Sequence, residues 1–255
     1  MKADTSGQTP NRLLLGVFIM KKILILLLIM IIYTSTYCST ASAKEIHLTA
    51  IGDSITYGTG EPSKKGYIGR LRDALEIKTK FPVSVNNFAI PRYRTENLLN
   101  QLQDRQIMNS LKKADYIILF IGTNDFRKSA GYQFNQLNLK NMNNGKVKFT
   151  ANLRKILCII RNENHKAPIL VLGLYQPYVE YQNHQEILTI IEEWNYGIVN
   201  ILGKIEKTYF VPTIDLFINK PKKKYFSDSL HPNSTGYQLI ANRVFQYLVT
   251  LENGS

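Results

Sequence analysis

Residues 116–125 read YIILFIGTND. Tyr116 to Ile121 is an unbroken β-rich apolar run, the pattern of a strand buried on both faces of a parallel sheet. Gly122 ends it, and Asn124 and Asp125 are common turn residues. The same grammar repeats on either side. His47 to Ile51 is a short apolar run closed by Gly52, and Val83 to Phe88, Ile169 to Leu174 and Phe210 to Ile214 are three more. Between them, apolar residues recur at helical spacing. One stripe holds Tyr67, Leu71, Ala74 and Leu75; another begins at Leu98, Leu99 and Leu102. Leu153, Ile156, Leu157 and Ile160 form a third. Ile187, Leu188, Ile191, Trp194, Ile198, Ile201 and Ile205 form a long fourth, and Tyr237, Ile240, Val244 and Leu248 close the chain. Five strands alternating with helices predict an α/β fold, a three-layer α/β/α sandwich on a central, mainly parallel five-stranded sheet of flavodoxin-like type. The polar segment 126–147 reads as an irregular excursion, a flap beside the sheet edge.

Composition narrows the function classes. The chain has 255 residues, 44% of them apolar and 11% aromatic, enough for a real core and against disorder. Two cysteines, Cys38 and Cys158, exclude a disulfide-stapled scaffold and a thiolate-rich zinc site. Cys158, inside Ile156-Leu157-Cys158-Ile159-Ile160, is expected to be a buried small hydrophobe. His47, His165 and His184 have no metal-ligand spacing, and no metal or cofactor is expected.

Residues 23–33 (ILILLLIMIIY) form an apolar run of 11 behind Lys21 and Lys22, and Ala41-Ser42-Ala43 follows. A basic, an apolar and a small-residue region in that order describe a secretory signal peptide. The run is short for a membrane span, which needs about 20 residues. Residues 1–43 are therefore expected to be a signal peptide, with Met20 as the natural start and residues 1–19 an upstream extension. Residues 44–255 are expected to be a single domain. The other reading is an uncleaved N-terminal membrane anchor. The formal charge of the whole chain is +13; removing residues 1–43 takes away four cations and one anion and leaves +10. Such a surface favours an anionic cell wall or membrane surface as a peripheral partner. Nucleic acid is not expected, because the basic residues are dispersed and the chain is read as exported. Lys222-Lys223-Lys224 reads as a solvated loop.

Ligands of parallel sheets bind at the edge where the strand C-termini lie. Gly52-Asp53-Ser54 follows the first strand directly. A serine at a strand-to-helix turn exposes its hydroxyl, and the helix start offers backbone N–H groups to a developing oxyanion. The same residues also read as a helix cap. Gly122-Thr123-Asn124-Asp125 follows the third strand. Asn124 could aim its amide above Ser54, or the stretch could be a plain turn. Asp228 and His231 stand three apart near the C-terminus, so one tight turn lets Asp228 orient the imidazole and leave Nε2 facing Ser54. Taken alone, that pair also reads as a capped turn with a packed histidine. Asn233-Ser234-Thr235 matches a glycosylation pattern and is read here as the cap of the last helix.

Over residues 46–250 the sequence resembles the SGNH hydrolases, also called GDSL esterases and lipases, in particular the small secreted lipase/acylhydrolase branch of bacteria. The resemblance rests on IGDSITYGTG at 51–60, GTND at 122–125 and DSLHP at 228–232. It implies a three-layer fold and metal-free hydrolysis of esters or thioesters. It also implies Ser54 as nucleophile, Asp228 and His231 as its partners, and Asn124 as oxyanion donor. Gly52, Asp53, Gly122 and Asp125 shape the loops, Asp53 by hydrogen bonds. One block departs. Members read like N-x-G-x-x-G where this chain has Asn87-Phe88-Ala89-Ile90-Pro91-Arg92, which places Ala89 and Arg92 at the two glycines. A backbone N–H survives any such change, so Arg92 is expected to donate to the oxyanion beside Ser54 and Asn124. Glycine at that position would serve a positive φ, which Arg adopts at a cost.

Three functions are open on this sequence: a secreted ester hydrolase acting through an acyl-enzyme, an O-deacetylase of a cell-wall or other polysaccharide, and a catalytically silent binding protein. The small-residue rule places the mature N-terminus at Lys44. Sequencing of the exported protein should begin there; a membrane-bound product retaining residues 23–33 would point to the anchor.

Overall fold

The computed structural model describes residues 10–37 and 44–253. The chain divides into two compact units, Met1–Ala43 and Lys44–Ser255. In the first, α1 runs Pro10–Tyr37. It contains the apolar run read as the signal core, whereas Cys38 and the Ala41-Ser42-Ala43 site lie outside the described residues. No described helix is long and apolar enough to cross a membrane.

The second unit opens with β1 (Ile46–Gly52), then α2 (Ser54–Tyr57) and α3 (Gly66–Thr79). Next come β2 (Val83–Asn87), α4 (Thr95–Gln101), α5 (Arg105–Lys113) and β3 (Tyr116–Phe120). Then follow α6 (Thr123–Ser129), α7 (Leu139–Glu163), β4 (Ile169–Leu172), α8 (His184–Leu202) and β5 (Thr208–Val211). A 3-10 turn at Ile214–Leu216, the short α9 (Lys222–Tyr225) and α10 (Ser234–Asn253) complete it. The sheet order is β2-β1-β3-β4-β5 and every pairing is parallel. Strands β1, β3 and β4 are almost wholly buried, which is why their sequences are continuous apolar runs rather than alternating ones.

This order makes the gap between β1 and β3 the point where the winding changes direction. The chain goes from β1 outward to β2, then returns to β3 on the other side. Crossovers on opposite faces leave a crevice above that gap, where ligands of such sheets bind. Ser54 follows β1 and Asn124 sits at the start of α6 after β3, so the crevice has one of them on each side.

Three expectations fail in detail. Residues 126–147 are mostly helical: α6 continues to Ser129 and α7 starts at Leu139, where the Asn138 side chain accepts from Asn141 N at 3.0 Å. The asparagine-rich stretch hid a helix that buries Met142 and Phe149, and Gly145 lets α7 approach Ser129 and Trp194 closely. Cys158 is exposed. The five-residue apolar run around it is wider than the stripe one helix buries, so Ile156, Leu157 and Ile160 take the core and Cys158 is left outside. Lys222 is likewise not free: in α9, its Nζ donates to Pro177 O and to both oxygens of Glu180.

Gly52 sets the spacing of the crevice. A Cβ there would lie 2.2 Å from Phe120 O and 2.8 Å from Thr56 Oγ1, so β1 and β3 could not pair at Gly52↔Phe120. Gly52→Ala should destabilise the fold by about 3 kcal/mol or more. Urea unfolding checks this, and a loss under 1 kcal/mol would show that the β1–β3 junction yields.

Candidate active site

The loop that carries Ser54 is built by its caps. Asp53 is the N-cap of α2, with its Oδ1 accepting from Ile55 N at 3.0 Å, and Gly58 closes the helix in the left-handed region. Ser54 therefore stands at N1, nearly buried. Its hydroxyl lies 3.0 Å from His231 Nε2. His231 Nδ1 in turn lies 2.7 Å from Asp228 Oδ2. The other oxygen of Asp228 accepts from the backbone N–H of Leu230 and of His231, each at 2.7 Å. The turn is thus closed by the same carboxylate that holds the ring. Burial opposes the charge on Asp228, but these N–H donors and the imidazole outweigh it and keep its carboxyl below the usual range. An ionised Asp228 can accept the Nδ1–H, the tautomer that would leave Nε2 able to accept the Ser54 proton.

Asn124 is buried, and its Nδ2 donates to Tyr93 O at 3.0 Å. That bond uses one of two amide hydrogens. It also ties the loop after β2 to the loop after β3. Asp125 continues the tie, accepting from Thr95 Oγ1 at 2.6 Å and Thr95 N at 3.0 Å. Asn87, the last residue of β2, leads into this loop; its Nδ2 donates to Thr56 O and its Oδ1 accepts from Ala89 N. Arg92 has φ 68°, the left-handed conformation in which glycine is free and other residues cost about 1–2 kcal/mol. Its side chain is exposed and makes no hydrogen bond or ion pair among the described residues. The departure from the family block is therefore accommodated in the backbone, with the guanidinium outside.

Ser54, Asp228 and His231 thus meet in one relay, with Asn124 at the start of α6 and Arg92 on the loop after β2, two segments joined by the bond from Asn124 Nδ2 to Tyr93 O. Two supports were not legible beforehand. Tyr175, buried after β4, donates to Leu230 O at 2.8 Å and so pins the turn between Asp228 and His231. The segment after Ser54 carries a largely enclosed ion pair, Glu61 with Arg70. Tyr175 and Leu230 are 55 residues apart, and Glu61 and Arg70, nine apart, lie across the turn that joins α2 to α3, so neither pair falls on a helical or strand repeat.

The chain belongs to the GDSL-like lipase/acylhydrolase family, whose model matches residues 50–239. Members of that family are carboxylic ester hydrolases. The uncharacterized protein YpmR of Bacillus subtilis is 33% identical over 214 residues, 81% of this chain and 83% of its own. The spore germination lipase LipC of Bacillus licheniformis is 26% identical over 210 residues, covering 78% of this chain and 94% of that protein. Among solved structures, the lipase Lip_vut3 from a goat rumen metagenome superposes with a TM-score of 0.67 at 24% identity, over 78% of this chain and 95% of its own.

Asp53 contrasts with Asp228. It is fully buried and its Oδ2 has no hydrogen-bond partner. Burial pushes its carboxyl up to about 7; the Ile55 N–H opposes this and nearby Asp125 adds to it. A folded value above the unfolded one means that this group favours the native state most at low pH. Its contribution falls as pH rises from about 4 to about 7, and the penalty is constant above that. Asp53→Asn keeps the oxygen that caps Ile55 and removes the charge. The variant should match wild type near pH 4 and exceed it by about 2–4 kcal/mol at pH 8. Urea unfolding at both pH values checks this, and an equal difference at the two would contradict it.

Proposed function

We propose that this protein is an exported serine ester hydrolase that works through an acyl-enzyme. The observation that carries the reading is the continuous relay Ser54 Oγ, His231 Nε2, His231 Nδ1, Asp228 Oδ2, with contacts of 3.0 and 2.7 Å. Ser54 attacks the ester carbonyl while His231 takes its proton. The carbonyl oxygen becomes an oxyanion held by the N–H of Ser54, the N–H of Arg92 and the second hydrogen of Asn124 Nδ2. Collapse expels the alcohol, which receives the proton from His231. Water then attacks the acyl-Ser54 carbonyl, His231 accepts the water's proton, and the acid leaves as Ser54 Oγ is reprotonated. Asp228 stays ionised throughout and stabilises the imidazolium. One oxyanion donor is worth about 2.7–4 kcal/mol, which favours a retained Arg92 N–H despite the strained φ.

The basic, apolar and small-residue order of residues 21–43 supports export with cleavage after Ala43. Similarity to a spore germination lipase supports a lipid ester as substrate. A second reading, removal of short acyl groups from an anionic wall polymer, draws on a different observation. Arg94 and Asp125, the residues after Tyr93 and Asn124, help to line a polar cleft of about 740 Å³ between α4, α6 and α7. Lys128, Lys148, Asn141 and Asn144 also line it, as does Glu96, which pairs with Arg94; the two lysines and the amides are donors suited to a polyol that carries negative charge.

Hydrolysis rates on p-nitrophenyl esters from acetyl to palmitoyl separate the two. The lipase reading expects activity that extends to long chains, and the deacetylase reading expects it to end near acetyl. In either case Ser54→Ala should fold and lose about 10⁴-fold or more in kcat, and Asp228→Asn about 10²–10⁴-fold. Near-normal turnover by Ser54→Ala would remove the nucleophile from the account.

A further inference from the structure

The 3.0 Å contact between Ser54 and His231 joins residues 177 apart, so something outside the relay must hold their two loops together. The segment following Ser54 is pressed against the segment around His231. Thr59 N donates to Ser54 O at 3.0 Å, and Thr59 O accepts from Tyr237 Oη at 2.6 Å. At Gly60 the two segments touch: a Cβ there would lie 2.4 Å from Ser227 Oγ, 2.6 Å from Pro232 O and 2.9 Å from His231 Cβ.

Glu61 comes next. Its carboxylate takes both arms of Arg70, at 2.6 Å from Nη2 to Oε1 and 2.8 Å from Nη1 to Oε2, and its Oε2 also accepts from Gly66 N at 2.9 Å. Arg70 Nη1 returns to Gly66 O at 2.9 Å, and Nη2 reaches out to Ser234 Oγ at 2.6 Å. Ser234 is the first residue of α10, three positions after His231. The pair is largely enclosed, with side-chain exposures of 11% for Arg70 and 8% for Glu61. A planar fork filling a carboxylate on one side and a hydroxyl on the other has little freedom to move.

We propose that Glu61 and Arg70 are positioning residues that set the distance between Ser54 and His231, with Arg70 and Ser234 forming the link from the nucleophile's segment to the histidine's. Neither touches the reacting atoms. The inference rests on the serine-esterase reading above. An error of about 1 Å in the general base costs up to about 10²-fold in rate without changing how a small ester binds, so the effect belongs in kcat.

Three variants test this with p-nitrophenyl acetate and thermal unfolding. Ser234→Ala removes the link and leaves the ion pair and the Asn233 cap in place. It should lower kcat about 3- to 10-fold, with KM within twofold and an unchanged melting temperature. Glu61→Met with Arg70→Met replaces the largely enclosed pair by apolar side chains, an exchange that can preserve or raise stability. It should still lose about tenfold or more in kcat, and Arg70→Lys, which keeps the charge without the fork, should fall between it and wild type. Ser234→Ala with wild-type kcat, or a double variant that melts like wild type and turns over within twofold of it, overturns the proposal. So does a loss confined to KM. If the double variant does not fold, Ser234→Ala decides alone. A wild-type protein that hydrolyses no ester and takes no fluorophosphonate at Ser54 would instead overturn the underlying reading, which keeps the two failures distinct.

Discussion

The structure depends on the pairing of β1 with β3. Gly52 lies against Phe120 so closely that no side chain fits between them, and Asp53 N continues the ladder by donating to Phe120 O. That junction is the reversal point of the 2-1-3-4-5 sheet. Everything with chemical character follows from it: the start of α2 that presents Ser54, the start of α6 that presents Asn124, and the crevice between them. A parallel sheet of this order exposes its strand ends along one edge, so residues far apart in sequence converge without any long-range motif.

The two aspartates of the site show how environment assigns roles to one side-chain type. Asp228 sits in a tight turn, half exposed, where three hydrogen-bond donors stabilise its charge. Asp53 is buried beside Ser54 with one oxygen unpaired, and burial raises its carboxyl to about 7. Of the two, Asp228 is the one hydrogen-bonded to the imidazole. The charge that polarises His231 is thereby local to its own turn, and the link to Ser54 is left to packing and to distant contacts.

The division between what could and could not be read beforehand follows the range of the interactions. The strands at 46–52, 116–120 and 169–172 were legible because burial on both faces removes polar residues from them. Ser54, Asn124 and the Asp228–His231 turn were legible because each is a short local pattern at a strand end or turn. The N-cap at Asn233, which accepts from Thr235 N and Gly236 N, was legible for the same reason. Helix α5 was missed, since its nine residues carry only Ile107 and Leu111 to the core. The start of α7 was hidden by polar residues on its outer face. The left-handed φ at Arg92 followed from a departure in one block, whereas the Arg70 to Ser234 and Tyr175 to Leu230 contacts join segments 164 and 55 residues apart. No local pattern encodes those.

The central claim is that Ser54 is made nucleophilic by His231 and Asp228. Intact-mass and peptide analysis after incubation with a fluorophosphonate tests it most directly. The account predicts a single adduct, on Ser54, whose rate of formation falls by orders of magnitude in His231→Ala although the serine and its loop are unchanged. An adduct that forms on Ser54 at the same rate with and without the imidazole, or one that forms on another residue, would contradict it.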